Sequence, residues 1–205
     1  MEYYMIKIFN QTIATIALTV ISHSLNAEQY LGIQLGQTTD KSFGDVCDDV
    51  DYIKSVINIE GSCNNQDIGF RLFYGTAING NFYLESGYQD FGSSKASLTD
   101  GYDYETFSAE ASGIDISAVG KFPVSVTAKL ILRGGVLFWD HKISYNSSFG
   151  GNSSESGSGN SFFMGFGLEF SDIIFSYDKI NDVGDKDTTG ETDLTRLSVG
   201  YKFKF

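Results

Sequence analysis

From residue 29 onward, large apolar side chains take every second position and small, polar or charged ones take the positions between. Period two belongs to β-strands with one greasy and one polar face. Eight stretches carry it: residues 29–36, 68–76, 81–91, 113–121, 128–139, 161–170, 173–180 and 194–205. In the first, Leu31, Ile33 and Leu35 oppose Tyr30, Gly32 and Gln34; in the sixth, Phe162, Met164, Phe166, Leu168 and Phe170 oppose Gly165, Gly167 and Glu169. The last is the most regular, with Leu197, Val199, Tyr201, Phe203 and Phe205 on one face. Chain ends of soluble proteins usually fray into water. A membrane barrel ends on such a strand, because that strand must pair with the first to close the sheet.

The connections alternate in length. Residues 37–67, 92–112, 146–160 and 181–193 read as long polar loops, whereas Ala77-Ile-Asn-Gly80, Phe122-Pro-Val-Ser125 and Ser171-Asp172 read as tight turns. In a meander this puts all long loops at one end and all turns at the other, the asymmetry of a bacterial outer-membrane barrel. A lipocalin-type soluble barrel would bury its apolar face around a ligand. Here the polar face is the glycine-rich one, suited to a narrow interior, and the apolar face carries the aromatics a lipid band requires. The fold expected is all-β: an eight-stranded antiparallel up-and-down transmembrane β-barrel.

At the start, Lys7, the apolar run at residues 13–21 and a small residue at Ala27 predict a secretory signal peptide over 1–27, with Met5 as an alternative start. The run is too short for a spanning helix, and mean hydropathy is −0.11. Residues 28–205 then form one outer-membrane domain. The 17 Phe and 12 Tyr exclude disorder. A net charge of −12, concentrated in the long loops, excludes nucleic acid as a partner. It leaves outer-membrane lipid and lipopolysaccharide, loosely bridged by divalent cations, and a basic partner on a host cell or phage.

The ordered motifs Leu84-Glu85-Ser-Gly87-Tyr88, Asp90-Phe-Gly92, Gly120-Lys-Phe-Pro123, Arg133-Gly-Gly135, Phe138-Trp139, Asn181-Asp-Val-Gly184 and Leu197-Ser-Val-Gly-Tyr-Lys-Phe203 resemble the transmembrane domain of OmpA-like outer-membrane proteins across nearly all of residues 28–205. Two departures stand out: the turn at Ser171-Asp172 is shorter than the family's, and the peptidoglycan-binding domain of OmpA itself does not follow. The resemblance implies a glutamate–arginine gate inside the barrel. Glu85 and Arg133 match that pair, while Ser117-Ala-Val-Gly120 stands where the gate lysine belongs, leaving Arg71 or Lys129 as substitutes. It also implies that Tyr201, Phe203 and Phe205 act as a C-terminal signal read by the barrel-assembly machinery.

Inward parity gathers Arg71, Glu85, Asp115, Lys129, Arg133, Glu169 and Arg196 in the lumen, a charge network with Glu85–Arg133 as one central pair. Cys47 and Cys63, both in the first long loop of an exported chain, predict one disulfide. Asp140-His141-Lys-Ile-Ser144 offers a histidine and a serine without a placed carboxylate partner, so no catalytic site is expected. Asp185-Lys-Asp187-Thr-Thr-Gly190 lacks a bidentate acid at its twelfth position, Arg196, and Asp45, Asp48, Asp49 and Asp51 lack ligand spacing; no metal and no cofactor are expected. The leading function is a structural, envelope-stabilising barrel with slight solute leakage. The alternatives are an adhesin or receptor using its long loops, and a surface lipid-modifying enzyme.

Overall fold

The computed structural model describes residues 27–57 and 59–205, so the signal peptide expected over 1–27 falls almost wholly outside the described residues. The elements are β1 (Gln29–Asp40), α1 (Lys41–Ile57), β2 (Glu60–Asn64), β3 (Gln66–Asn79), β4 (Phe82–Thr99), β5 (Tyr104–Pro123), β6 (Ala128–Ser147), β7 (Gly151–Phe170), β8 (Ile173–Val183) and β9 (Thr192–Lys204). All neighbours are antiparallel, in the order β2-β4-β3-β1-β9-β8-β7-β6-β5, and a further β4–β5 pairing closes the ring. Eight strands make the barrel. The ninth, β2, continues the line of β3 and pairs with the far end of β4, from Glu60↔Thr99 to Asn64↔Lys95.

The eight alternating stretches fall on the eight barrel strands, passing their ends only at Asn81 and Phe205, with the parity the sequence predicts. Leu31, Leu35, Phe162, Leu197 and Phe203 stand outside with 51%, 53%, 74%, 66% and 57% of their surface bare. Together with Ile114, Ile116, Leu132 and Phe138 they form a continuous apolar belt. Water does not tolerate an apolar patch much beyond a few hundred Å² on a monomer, so the belt marks the lipid-facing surface. The start of β1, the end of β9 and the turns after β3, β5 and β7 share one end of the barrel, the periplasmic one. The first strand pairs with the last from Tyr30↔Lys204 to Asp40↔Leu194, which leaves no open edge in the membrane.

Three of the four expected loops are something else. Residues 37–67 contain α1 and β2, and 92–112 and 146–160 are mostly strand. β4 and β5 stay paired from Ser93↔Glu110 to Thr99↔Tyr104, and β6 and β7 from Trp139↔Gly159 to Ser147↔Gly151. At about 3.4 Å per residue these hairpins run roughly 20 Å or more beyond the belt. In the fourth, residues 184–191 form a loop without strand structure. The parts of β2, β4, β5, β6 and β7 beyond the belt thus build an open extracellular sheet, and above Phe163 β7 has β6 as its sole strand neighbour.

Helix α1 lies on the lumen-side face of that sheet and so over the barrel mouth. Its N-terminus is fixed by Asp40, whose Oδ1 accepts from the Phe43 N–H at 3.0 Å and from the Thr192 hydroxyl at 2.6 Å, an N-cap tied to the start of β9. Phe43 and Val50 are buried with Ala96 and Ala109; Val46, Cys47, Cys63, Phe107 and Ile143 complete this core. Phe43 stacks on Phe107 with centroids 5.5 Å apart. The predicted disulfide joins Cys47 of α1 to Cys63 of β2, with Cα atoms 5.2 Å apart.

Candidate functional site: a charged lumen beneath an extracellular head

Inward positions fill the barrel in three layers. Nearest the periplasm, Tyr30, Phe73, Tyr83, Val119, Ile131 and Ile174 form an apolar cluster around two lysines. Lys121 Nζ sits 3.9 Å from the ring centres of both Tyr30 and Tyr83, and Lys202 Nζ 4.8 Å from that of Tyr30. Both ammonium groups face one carboxylate, Glu169. Such a layer is possible because glycines free the space: a Cβ at Gly32 would collide with the Phe73 ring and one at Gly75 with the Tyr30 ring.

The middle layer is ionic and balanced, three arginines against three carboxylates. Arg71, fully buried, donates from Nε (2.9 Å) and Nη2 (2.7 Å) to the two oxygens of Asp115 and from Nη1 to Glu85 at 2.9 Å. Arg133 Nη2 donates to both oxygens of Asp178 at 2.6 and 2.9 Å, and its Nη1 reaches Glu85 at 3.4 Å. Arg196 donates to Asp178 at 3.4 Å. The Tyr30 hydroxyl donates to Glu85 at 2.7 Å and the Gln89 amide to Asp115 at 2.8 Å. Bidentate arginine–carboxylate pairs with extra donors are the arrangement in which buried charge is tolerated.

The pairing adds detail to the expected network at three points. Glu85–Arg133 is the longest contact Glu85 makes; its closer cation is Arg71, and Arg133 belongs chiefly to Asp178. Lys129 has inward parity but lies at the periplasmic rim, half-buried and without an ion pair among the described residues. Glu169 pairs with Lys121 and Lys202 rather than with the arginines. Asp178, Lys121 and Lys202 were all legible as inward by parity; which carboxylate each meets depends on barrel stagger, which parity does not carry.

Above the ions lies an apolar layer: Phe91, Ala111, Leu137, Trp139, Phe163, Ile180, Val183 and Leu194, each at most 9% exposed. The Trp139 indole donates to the Ser161 hydroxyl at 2.8 Å, which donates to the Asp182 carbonyl at 2.7 Å. This layer lies between the ionic layer and the mouth that α1 covers. Inward Leu137, Trp139, Phe163 and Ile180 were present in the alternation, but large residues on the polar face masked their role.

The catalytic candidate does not assemble. His141 points inward and is buried, whereas Ser144 falls on the opposite parity of β6. His141 lies above the spanning part of β6, residues 130–138, and burial pushes its pKa down against the pull of Asp40. The Asp185 carboxylate is taken up by the Asp187 N–H at 2.8 Å within its own turn. Just above the belt, on the outer wall, a cleft of about 630 Å³ carries Asp67, Asp90, Glu110 and Asp140 beside Lys142. The net charge of −12 resides in the head as a whole, since barrel acids and bases nearly balance.

The chain is similar to several known proteins. Outer membrane protein A of Yersinia pseudotuberculosis serotype I (strain IP32953) is 28% identical over 163 residues, covering 74% of this chain and 44% of that protein, so the chain spans less than half of that relative. Among solved structures, Neisserial surface protein A matches with a TM-score of 0.49 and 14% identity over 86% of this chain and 97% of that one. Ail of Yersinia pestis, in complex with the heparin analogue sucrose octasulfate, matches with 0.46 and 17% over 87% and 100%. The family model described as the OmpA-like transmembrane domain matches residues 25–205. With its closed ring, lipid-facing belt and charged lumen, the chain belongs to the OmpA-like transmembrane domain family and is a β-barrel protein of the bacterial outer membrane.

Proposed function

We propose that the barrel is a plugged anchor whose task is to hold a folded head above the outer membrane for binding, the adhesin or receptor class of activity. The observation that carries this reading is the head itself: a capped helix, a disulfide, a buried core of its own and paired strands rising well past the lipid belt. Loops serving only to connect strands need none of these, and binding residues are characteristically set on loops held by a rigid scaffold. The head is acidic, the wrong sign for a sulfated sugar such as that seen with Ail. In this reading residues 1–27 direct export and are removed, and Tyr201 and Phe203, outward on β9, with Phe205 just beyond it, present the end of residues 28–205 to the assembly machinery.

The test is surface display on a non-adherent bacterium, scored by attachment to host-cell surfaces. The parent chain is expected to confer attachment. A variant whose residues 41–57 are replaced by a Gly/Ser linker, still folded by heat-modifiable gel mobility, is expected to lose it. Equal attachment by the two would overturn the binding role.

A second reading, an envelope-stabilising barrel with slight leakage, is favoured by the lumen, where an ionic layer and an apolar layer lie in series. Single-channel recording should then give small, intermittent conductance. A large, steady pore would rule the plug out.

A further inference from the structure

Helix α1 buries only its first part. Phe43, Val46 and Val50 pack on the sheet, and the same stripe continues through Ile53, which is half-buried, to the exposed Ile57, with exposed Val56 beside it. Val56 and Ile57 are 61% and 60% exposed, and Phe149 at the tip of the β6–β7 hairpin is 81% exposed. Between the end of α1 and the β4–β5 hairpin run two adjoining hollows of about 200 and 330 Å³, sharing Ile53, Leu98 and Glu105. Their floor is apolar, from Val50 and Phe107 at one end to Ile57 and Phe149 at the other. Asp49, Asp100, Asp103 and Glu105 stand along the edges, and no lysine or arginine lines either hollow.

Charge and position narrow what fits. The groove is at the far end of the head, well beyond the lipid belt, so the protein's own membrane does not reach it. Its acidic edge repels anionic lipid, sulfated glycans and nucleic acid. It also repels a second copy of the same surface, since a two-fold contact would set these acids against their own symmetry mates. A cationic polypeptide with an apolar face remains. An exposed apolar groove beside a helix receives such a segment as an amphipathic helix, with apolar anchors on the floor and basic side chains on the rim.

We propose that the groove between α1 and the β4–β5 hairpin binds a basic amphipathic helix of a partner protein. The inference rests on the binding-head reading and names the chemistry of its partner. The acidic rim sets the sign of the ligand and steers its approach, and the exposed floor residues supply the anchoring contacts.

The probe is a Leu/Lys amphipathic helical peptide, with a Leu/Glu peptide of identical apolar face as its counterpart. The mature chain is held in zwitterionic nanodiscs, and empty nanodiscs serve as the blank. The Leu/Lys peptide is expected to bind about tenfold or more tighter than the Leu/Glu peptide, and more weakly as salt rises. The variant Ile57→Asp/Phe149→Asp changes exposed residues only, leaves heat-modifiable folding intact, and is expected to weaken Leu/Lys binding by about tenfold or more. Equal affinity for the two peptides, indifference to the double substitution, or no binding of either peptide would each overturn the proposal. So would concentration-dependent pairing of the parent that the double variant abolishes, which would make a second copy the occupant. The attachment assay separates the two levels. If the double variant attaches like the parent while the linker variant does not, the groove is wrongly assigned and the binding head stands; if the linker variant also attaches, the head reading itself falls.

Discussion

The barrel and the head are built inside out relative to each other, although β4, β5, β6 and β7 run through both. Within the membrane, Leu, Ile and Phe face outward and Arg71, Arg133, Arg196, Glu85, Asp115 and Asp178 face inward. Beyond it, the same inward face turns apolar, with Ala96, Phe107 and Ala109 under α1, while Glu110, Asp140 and Lys142 face out. The solvent on the outside decides which face must be greasy. The switch falls near the irregularity between Asp90 and Ser93, where Gly92 takes a φ of +76° and strand register shifts. A bulge re-aims a strand without ending it, and glycine adopts that φ at no steric cost. The two regions are therefore held together differently: buried ion pairs between two apolar layers in one, apolar packing under a helix and a covalent staple in the other.

The sharpest way to break this comparison is to remove one charge from each region of a single strand. Asp115→Ala strips the fully buried Arg71 of its bidentate partner and should cost about 3–5 kcal/mol in denaturant unfolding followed through Trp139. Glu110→Ala, higher on β5 and facing water, should stay within about 0.5 kcal/mol. Equal losses would show that the lumen network does not carry the barrel. Replacing Arg133 and Asp178 together by apolar residues should cost less than removing Asp178 alone, because only Arg196 is then left without its carboxylate, rather than Arg196 and Arg133 together.

A smaller effect is expected from Cys47→Ser/Cys63→Ser. The closed segment spans 16 residues, so loss of the bond should destabilise the head by about 3 kcal/mol in the chain-entropy model. That loss should appear as faster amide exchange across α1 and β2, with barrel strands and gel mobility unchanged. Exchange rising equally in β1 and β9 would mean that the two regions unfold as one unit. Deleting Phe205 should do the reverse, lowering the amount of folded barrel in the outer membrane without altering exchange in those molecules that insert. Undiminished levels would remove the assembly role given to the terminus.

The smallest effect concerns pH. His141, at the junction, has a folded-state pKa below its ordinary 6.5, owing to burial. The unfolded chain therefore takes up a proton first as pH falls. The stability this histidine contributes is complete above about 6.5 and declines as pH drops toward the folded value. A His141→Gln variant should lose that part of the pH dependence; an identical profile would place the titration elsewhere.

Much of the barrel was legible because alternation is a local signal that every spanning strand must obey. The head was legible only in fragments. Phe43, Val46, Val50, Ile53 and Ile57 are spaced three and four apart behind Asp40, a helix pattern with its cap, yet the interspersed Asp45, Asp48, Asp49 and Asp51 made the segment read as a polar loop. The outer part of β7, Gly-Asn-Ser-Ser-Glu-Ser-Gly-Ser-Gly-Asn from Gly151, has no apolar alternation at all. It is a strand because β6 offers it a ladder of backbone partners from Trp139 to Ser147.

By itself the sequence determined which side chains face lipid and which face the lumen, since a period of two leaves no other choice once one side must be greasy. It also placed two cysteines where export would oxidise them. Only the tertiary structure decided that Glu85 leans on Arg71, that Arg133 goes to Asp178 and that two lysines share Glu169, because those meetings cross the barrel and depend on how far each strand is staggered against the next. It likewise decided that α1 caps the mouth and leaves Ile53 and Ile57 over a groove, because the helix pattern fixes which residues share a face and not what that face will meet.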